Sequence, residues 1–171
     1  MEYTIPLQSI TDAWAEALEK SETIQKYCQE HYEKTPVIVI GGNPRESPDF
    51  TYCPYIVLMN GAKIEGDDQS TLSYTVGVAW GIKNANLIVD GKEIPNGNFA
   101  NASKCELKGA REVDELGQMI YETLQTCAKD RGWPISRVDY DITPIATFPQ
   151  FAGTMICITD IEPALGETLE Y

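Results

Sequence analysis

The chain holds a single histidine, His31, and five cysteines, Cys28, Cys53, Cys105, Cys127 and Cys157. Cys28 and His31 stand three residues apart, a spacing that puts both on one face of a helix. A thiolate and an imidazole so placed could supply half of a metal site, but no second close pair of ligands completes it. The plainer reading is two ordinary helix positions. A cysteine nucleophile would need His31 as its base, and nothing in the spacing brings a thiol to it. The thiol count is odd and no Cys-x-x-Cys occurs, which points to reduced cysteines in a reducing compartment. There is no Gly-x-Ser-x-Gly elbow for a serine nucleophile. Gly41-Gly42 closes an apolar run, as a phosphate loop would, but such a loop must lead into a helix whose amides face the anion. Pro44 and Pro48 follow instead. Neither of the common glycine-rich nucleotide motifs is present.

Carboxylates are plentiful. Asp139 and Asp141 share one face of an expected strand, as residues i and i+2 must. Asp67 and Asp68 sit together on an expected turn. Such pairs can hold a divalent cation or share a proton. With 26 acidic residues in the chain, pairs also arise by chance, and solvated surface is the plainer reading. Trp14 and Trp80 fall on apolar stripes and read as core rather than as platforms for bases.

The elements that would position these groups are legible from periodicity. Ile10, Trp14 and Leu18 form one helical stripe. Ser21 can cap a second helix carrying Ile24, Tyr27 and Cys28. Val37 to Ile40 is β-branched and reads as a buried strand. Residues 43 to 54 are a proline-rich loop, and Tyr55 to Met59 is a strand ending in an Asn60-Gly61 turn. Residues 64 to 70 read as an exposed, acidic hairpin tip. Leu72, Tyr74, Val76, Val78, Trp80 and Ile82 alternate with Ser73, Thr75, Gly77, Ala79 and Gly81, which predicts a long strand with one buried face and one face of small residues. That small face suits solvent or the close approach of another backbone. Leu87 to Val89 is a short strand, and residues 95 to 103 are a loop. A long helix spans about 111–131, with Glu112, Asp114 and Glu115 in its first turn, where acids suit the helix dipole. Residues 137 to 147 form a strand broken at Pro144, Gly153 to Ile161 a buried final strand, and residues 162 to 171 a loose tail.

This order predicts an α+β fold. Its sheet is mixed, mostly antiparallel and twisted, with the long helix and the N-terminal helices packed on it. Residues 1–171 read as a single domain, in which helices at about 8–33 are an appendage to a core at 36–161.

Composition narrows the function. The chain has 171 residues, enough to bury roughly 70 % of the surface of its unfolded form in one core. Thirteen basic residues against 26 acidic ones give a net charge of −13. A chain this acidic does not bind a nucleic-acid backbone through a general basic surface. No apolar run nears the ~18 residues of a membrane span, and the N-terminus does not read as a secretory signal. Asn101-Ala102-Ser103 matches a glycosylation triplet, which without a secretory route is only a loop. By elimination a structural or interaction protein is favoured over an enzyme, with no catalytic residue, cofactor or resident metal assigned.

Several segments together resemble a family. They are Cys53-Pro54-Tyr55-Ile56-Val57-Leu58, an acidic turn, and the alternating strand ending Val78-Ala79-Trp80-Gly81-Ile82. The helix Val113-Asp114-Glu115-Leu116-Gly117-Gln118-Met119-Ile120 follows. Tyr140-Asp141-Ile142, Pro144 and Phe148-Pro149-Gln150-Phe151-Ala152-Gly153 then lead to a closing apolar strand. From about Pro36 to Ile161 this is similar to the tail-terminator and tail-completion (head–tail joining) proteins of tailed phages and prophages. The resemblance implies a structural subunit that forms a ring, typically a hexamer, on the head-proximal end of the tail tube. It would be made in the bacterial host cytoplasm, would reside in the tail or neck of the virion, and would meet tail-tube and neck proteins. Ring contacts are head-to-tail, and Ser73, Thr75, Gly77, Ala79 and Gly81 are the candidate interface. Glu65, Asp67 and Asp68 are the candidate acidic tip facing the lumen, where negative charge would let DNA pass without sticking. Two other classes stay open: an acidic module that binds a basic partner, and a small enzyme using Asp139 and Asp141 with a divalent cation.

Overall fold

The structure is a computed structural model, and it describes residues 5–42, 50–66, 71–95, 101–142 and 148–161. Helix α1 (Leu7–Lys20) turns Ile10, Trp14 and Leu18 fully inward. Helix α2 (Glu22–Tyr32) starts where the Ser21 hydroxyl accepts from the Ile24 amide at 3.3 Å, and it ends at Glu33 with a left-handed φ of 59°. Strands β1 (Val37–Ile40), β2 (Tyr55–Ile64) and β3 (Leu72–Lys83) follow, with a single 3₁₀ turn at Phe50–Tyr52 before β2. Next come β4 (Leu87–Val89), β5 (Lys92–Ile94) and β6 (Cys105–Leu107), which form a small sheet ordered β5-β4-β6. Helix α3 (Lys108–Asp130), β7 (Ile135–Asp141) and β8 (Gln150–Ile161) complete the chain.

The main sheet has five strands in the order β1-β2-β3-β8-β7. Only β1 and β2 run parallel; every other neighbouring pair is antiparallel. The fold is therefore α+β with a mixed, mostly antiparallel sheet. All three helices lie on one side of it. The even-numbered side chains of β3 from Leu72 to Ile82 are at most 3 % exposed, because they face α1 and α3. Trp80 stands at the centre. Its indole N–H donates to the Val113 carbonyl at 2.9 Å. Its ring lies between Gly117 of α3 and Gly153 of β8, and a Cβ on either glycine would collide with it. These two glycines set how closely helix and strand approach.

Several expectations are corrected. Asn60-Gly61 is not a turn: β2 continues to Ile64 through an irregularity in register between Asn60 and Lys63, and the side chain of Asn60 meets Thr11 and Gln8 of α1. The N-terminal helices, expected as an appendage, give Ile10, Trp14, Leu18, Ile24 and Cys28 to the same core as the sheet. Helix α3 begins at Lys108, so Glu112, Asp114 and Glu115 fall beyond its first turn. Strand β8 begins at Gln150 rather than Gly153. The expected loop at residues 95 to 103, the proline loop, the break at Pro144 and the tail fall wholly or partly outside the described residues. Among the described residues no helix is long and apolar enough to cross a membrane.

Candidate functional site

The side of the main sheet away from the helices is the candidate interface. Register fixes its composition, because residues opposite each other on neighbouring strands share a face. One row across it is Met59, Gly77, Ile156 and Asp139. Another is Val57, Ala79, Thr154 and Asp141, and a third runs from Thr75 through Ile158 to Arg137. Near the hairpin end, Ile64, Ser73 and Asp160 lie side by side. The small residues of β3 thus floor a trough with larger side chains on both walls. The Tyr55 ring lies over Gly81 and leaves no room for a Cβ there, and Met59 lies over Gly77, its methyl 3.4 Å from where a Cβ would stand. Internal packing accounts for the glycine at position 81, whereas at Gly77 a Cβ would make only ordinary contact with Met59. Ser73, Thr75 and Ala79 remain half-buried along the floor.

The face is apolar in its middle and charged along one side. Ile156 is 48 % exposed and Ile64 58 %. The β7 side carries the Arg137–Asp139 ion pair at 3.1 Å, together with Asp141. Asp160 accepts from the Ser136 hydroxyl at 2.8 Å. Asp139 and Asp141 do share a face, as expected, but Asp139 is engaged by the Arg137 guanidinium. Among the described residues no group of three His, Cys, Asp or Glu side chains converges as a metal site would.

The acidic tip is only partly described, since Asp67 and Asp68 lie outside the described residues. Glu65 is tied down: Lys63 lies at 3.1 Å and the Tyr74 hydroxyl donates to it at 2.9 Å. The hydrogen bond from Lys63, and after it that from Tyr74, hold its carboxyl below the usual range. The stability this adds is present at neutral pH and is lost as acidification passes through the lowered value.

A second constellation lies on the helix side, and sequence reading missed it. Glu112 is a buried carboxylate with 2 % of its side chain exposed. His31 Nδ1 lies 3.2 Å from its Oε2, the Tyr32 hydroxyl donates to the same oxygen at 3.4 Å, and the Asn84 amide donates to both oxygens. The His31 ring stacks on Tyr27 at 4.1 Å, and the Tyr27 hydroxyl donates to Glu115 at 2.7 Å. The cluster joins α2, α3 and the β3–β4 connection through one carboxylate. The signal was available: Glu112 stands four residues before Leu116 and eight before Ile120, on the same buried stripe.

A carboxylate that orients an imidazole is half of a nucleophile triad. The thiol nearest in sequence, Cys28, faces the core instead, fully buried, and burial pushes its pKa up to about 12. Cys157 is likewise buried and raised to about 12. Cys105 is the exposed thiol. Maleimide labelling of the native protein is therefore expected to modify Cys105 first, and Cys28 and Cys157 only on unfolding. Labelling of Cys157 as fast as Cys105 would contradict the packing of β8.

No protein-family model matches the chain, and no curated protein matches it.

Proposed function

We propose that this chain is a ring-forming structural subunit of the tail-terminator or tail-completion type, placed at the head–tail junction of a tailed phage or prophage. The observation that carries this reading is the exposed part of the sheet face away from the helices, around Ile156, Ile158 and Ile64; at the other end of that face Tyr55 and Val57 are buried. A two-layer fold buries one side of its sheet under helices, and here the other side keeps a half-exposed apolar centre around Ile156 and Ile158. Exposed apolar surface rimmed by polar groups marks a protein–protein contact. The resemblance from Pro36 to Ile161 supplies the kind of contact, a head-to-tail ring of about six copies. In this reading the chain works by assembly and carries out no catalysis. Its partners are its own copies, the tail tube and the neck proteins, and it acts in the host cytoplasm during assembly and then in the virion. The net charge of −13 supports a channel that DNA crosses without being held. In this reading the acidic tip Glu65, Asp67 and Asp68 is the candidate lumen surface, with Glu65 paired to Lys63 and Tyr74.

Substitution at the centre of the face tests this reading. Ile156→Lys places a charge where the ring contact is proposed. It is expected to reduce the assembled fraction at least about tenfold, a change of ~1.4 kcal/mol per contact, while the circular dichroism of the subunit stays unchanged. Unaltered assembly in this variant would overturn the assignment of the face.

A further inference from the structure

The small sheet β5-β4-β6 carries a basic surplus in an acidic chain. From Leu87 to Arg111 four basic residues stand against three acidic ones, where the whole chain is at −13. All three acids are engaged. Glu93 pairs with Lys108 at 2.8 Å and Glu106 with Arg111 at 2.6 Å, while Asp90 accepts from the amides of Ser103 and Lys104. Lys92 and Lys104 are left over: both are exposed, and neither has an ion pair among the described residues. They flank the turn at Asp90-Gly91, where the Asp90 amide donates to the Lys104 carbonyl at 2.8 Å. The turn stands clear of the rest of the fold, since nothing lies within 4 Å of where a Cβ on Gly91 would be. Lys92 and Ile94 are two residues apart on β5 and share a face. Ile94 is 36 % exposed, and register adds Val89 and the exposed Cys105 to the row of Lys92. The small sheet thus presents an apolar surface with lysines at its tip.

We infer that the small sheet of one copy is what covers the Ile156 face of the next, Ile94 and Val89 meeting Ile156 and Ile158 while Lys92 and Lys104 meet the carboxylates beside them. This rests on the ring reading above and names the occupant of its contact. Three observations select that occupant. The first is charge. Around Ile156 the face carries Asp139, Asp141 and Asp160 against Arg137, so it is acidic where the small sheet is basic. Complementary charge around an apolar centre is the makeup of a specific contact. The second is shape. Ser73, Thr75 and Gly77 floor a trough between larger side chains, and the small sheet ends in a narrow turn. The third is position. Ile64, at one end of the exposed face, pairs with Ser73 near the start of β3, whereas the small sheet leaves from its end at Lys83, roughly 30 Å along the strand. One copy therefore does not cover this part of the face with its own small sheet, and a second copy can. Two unlike surfaces of one chain meet head to tail, the contact from which rings close.

The test uses the full-length chain. One preparation keeps its native Cys105, and the other carries Cys105→Ser with Ile64→Cys. The two are mixed and treated with a short bis-maleimide. The expected result is a mixed cross-linked dimer at least about tenfold above that of either preparation alone, because the seated contact holds the two thiols at high effective concentration. In parallel, Lys92→Glu and Lys104→Glu are introduced together at exposed positions. They are expected to lower the assembled fraction at least about tenfold with unchanged circular dichroism, since like charges then face each other across the contact. Cross-linking of the Ile64→Cys preparation with itself as strongly as in the mixture would overturn the inference in favour of two faces packed on each other. A ring that forms without the mixed cross-link and tolerates the lysine reversals overturns the small sheet as occupant and leaves the ring reading standing. A monomer at every concentration overturns both.

Discussion

Trp80→Ala is expected to destabilise the fold by about 3–5 kcal/mol, the largest effect of any single truncation here. The side chain is fully buried, and its indole N–H donates to Val113. Its removal opens a cavity between helix and sheet and leaves a buried carbonyl without that donor. The complementary change, Gly153→Ala, pushes a methyl into the same ring from the strand side and is expected to cost about 1–3 kcal/mol. The two changes meet at one contact, so their combination is expected to cost less than the sum, with the new methyl filling part of the cavity. Urea unfolding of the two single variants and the double variant measures this directly. Strict additivity would mean that Trp80 and Gly153 do not pack as described.

The second large effect concerns Glu112. Replacing His31 and Asn84 together by Ala leaves the carboxylate buried with only the Tyr32 hydroxyl at 3.4 Å, and about 3–5 kcal/mol of stability is expected to be lost. Adding Glu112→Met to that pair removes the buried charge and is expected to recover most of the loss, because a packed apolar side chain replaces an unpaired ion at little cost. Chemical denaturation of the double and triple variants separates the two. A double variant as stable as the parent would mean that Glu112 is not held by these donors. The cluster ties the short helix α2 to α3, so protection of α2 amides from hydrogen exchange should fall in the double variant before that of β3.

The contrast between these two sites shows what the sequence carried. Trp80 was legible as core because Leu72 to Ile82 alternate without a break, and period-two alternation has one structural meaning. The long helix was legible from Val113, Leu116, Ile120 and Leu124 for the same kind of reason. Glu112 was not, because an acid near an expected helix start reads as a dipole-compensating surface residue. Its partners His31, Tyr32 and Asn84 lie 28 to 81 residues away in the chain, and only the fold brings them together. Asn60-Gly61 misled in the opposite way: a strong local turn signal was overridden by the pairing of β2 with β3 on both sides of it. The small residues of β3 were correctly read as a face, but local pattern cannot say that Tyr55 and Met59 from the neighbouring strand would lie over Gly81 and Gly77. The edge positions of β1 and β7 in the sheet were invisible for the most general reason. Strand order is a property of the whole sheet: the β-branched run Val37 to Ile40 reads as a buried strand, yet the sheet places it at an edge with Val37 and Ile40 exposed.

The central claim is assembly, and the most direct measurement is the solution mass of the full chain. Light scattering on a size-exclusion column, across a concentration series and at two salt levels, reads it without a label. The account predicts a closed species of about six subunits that holds a constant mass as concentration rises, since a closed ring leaves no free edge to grow from. A monomer at every concentration and both salt levels would contradict it.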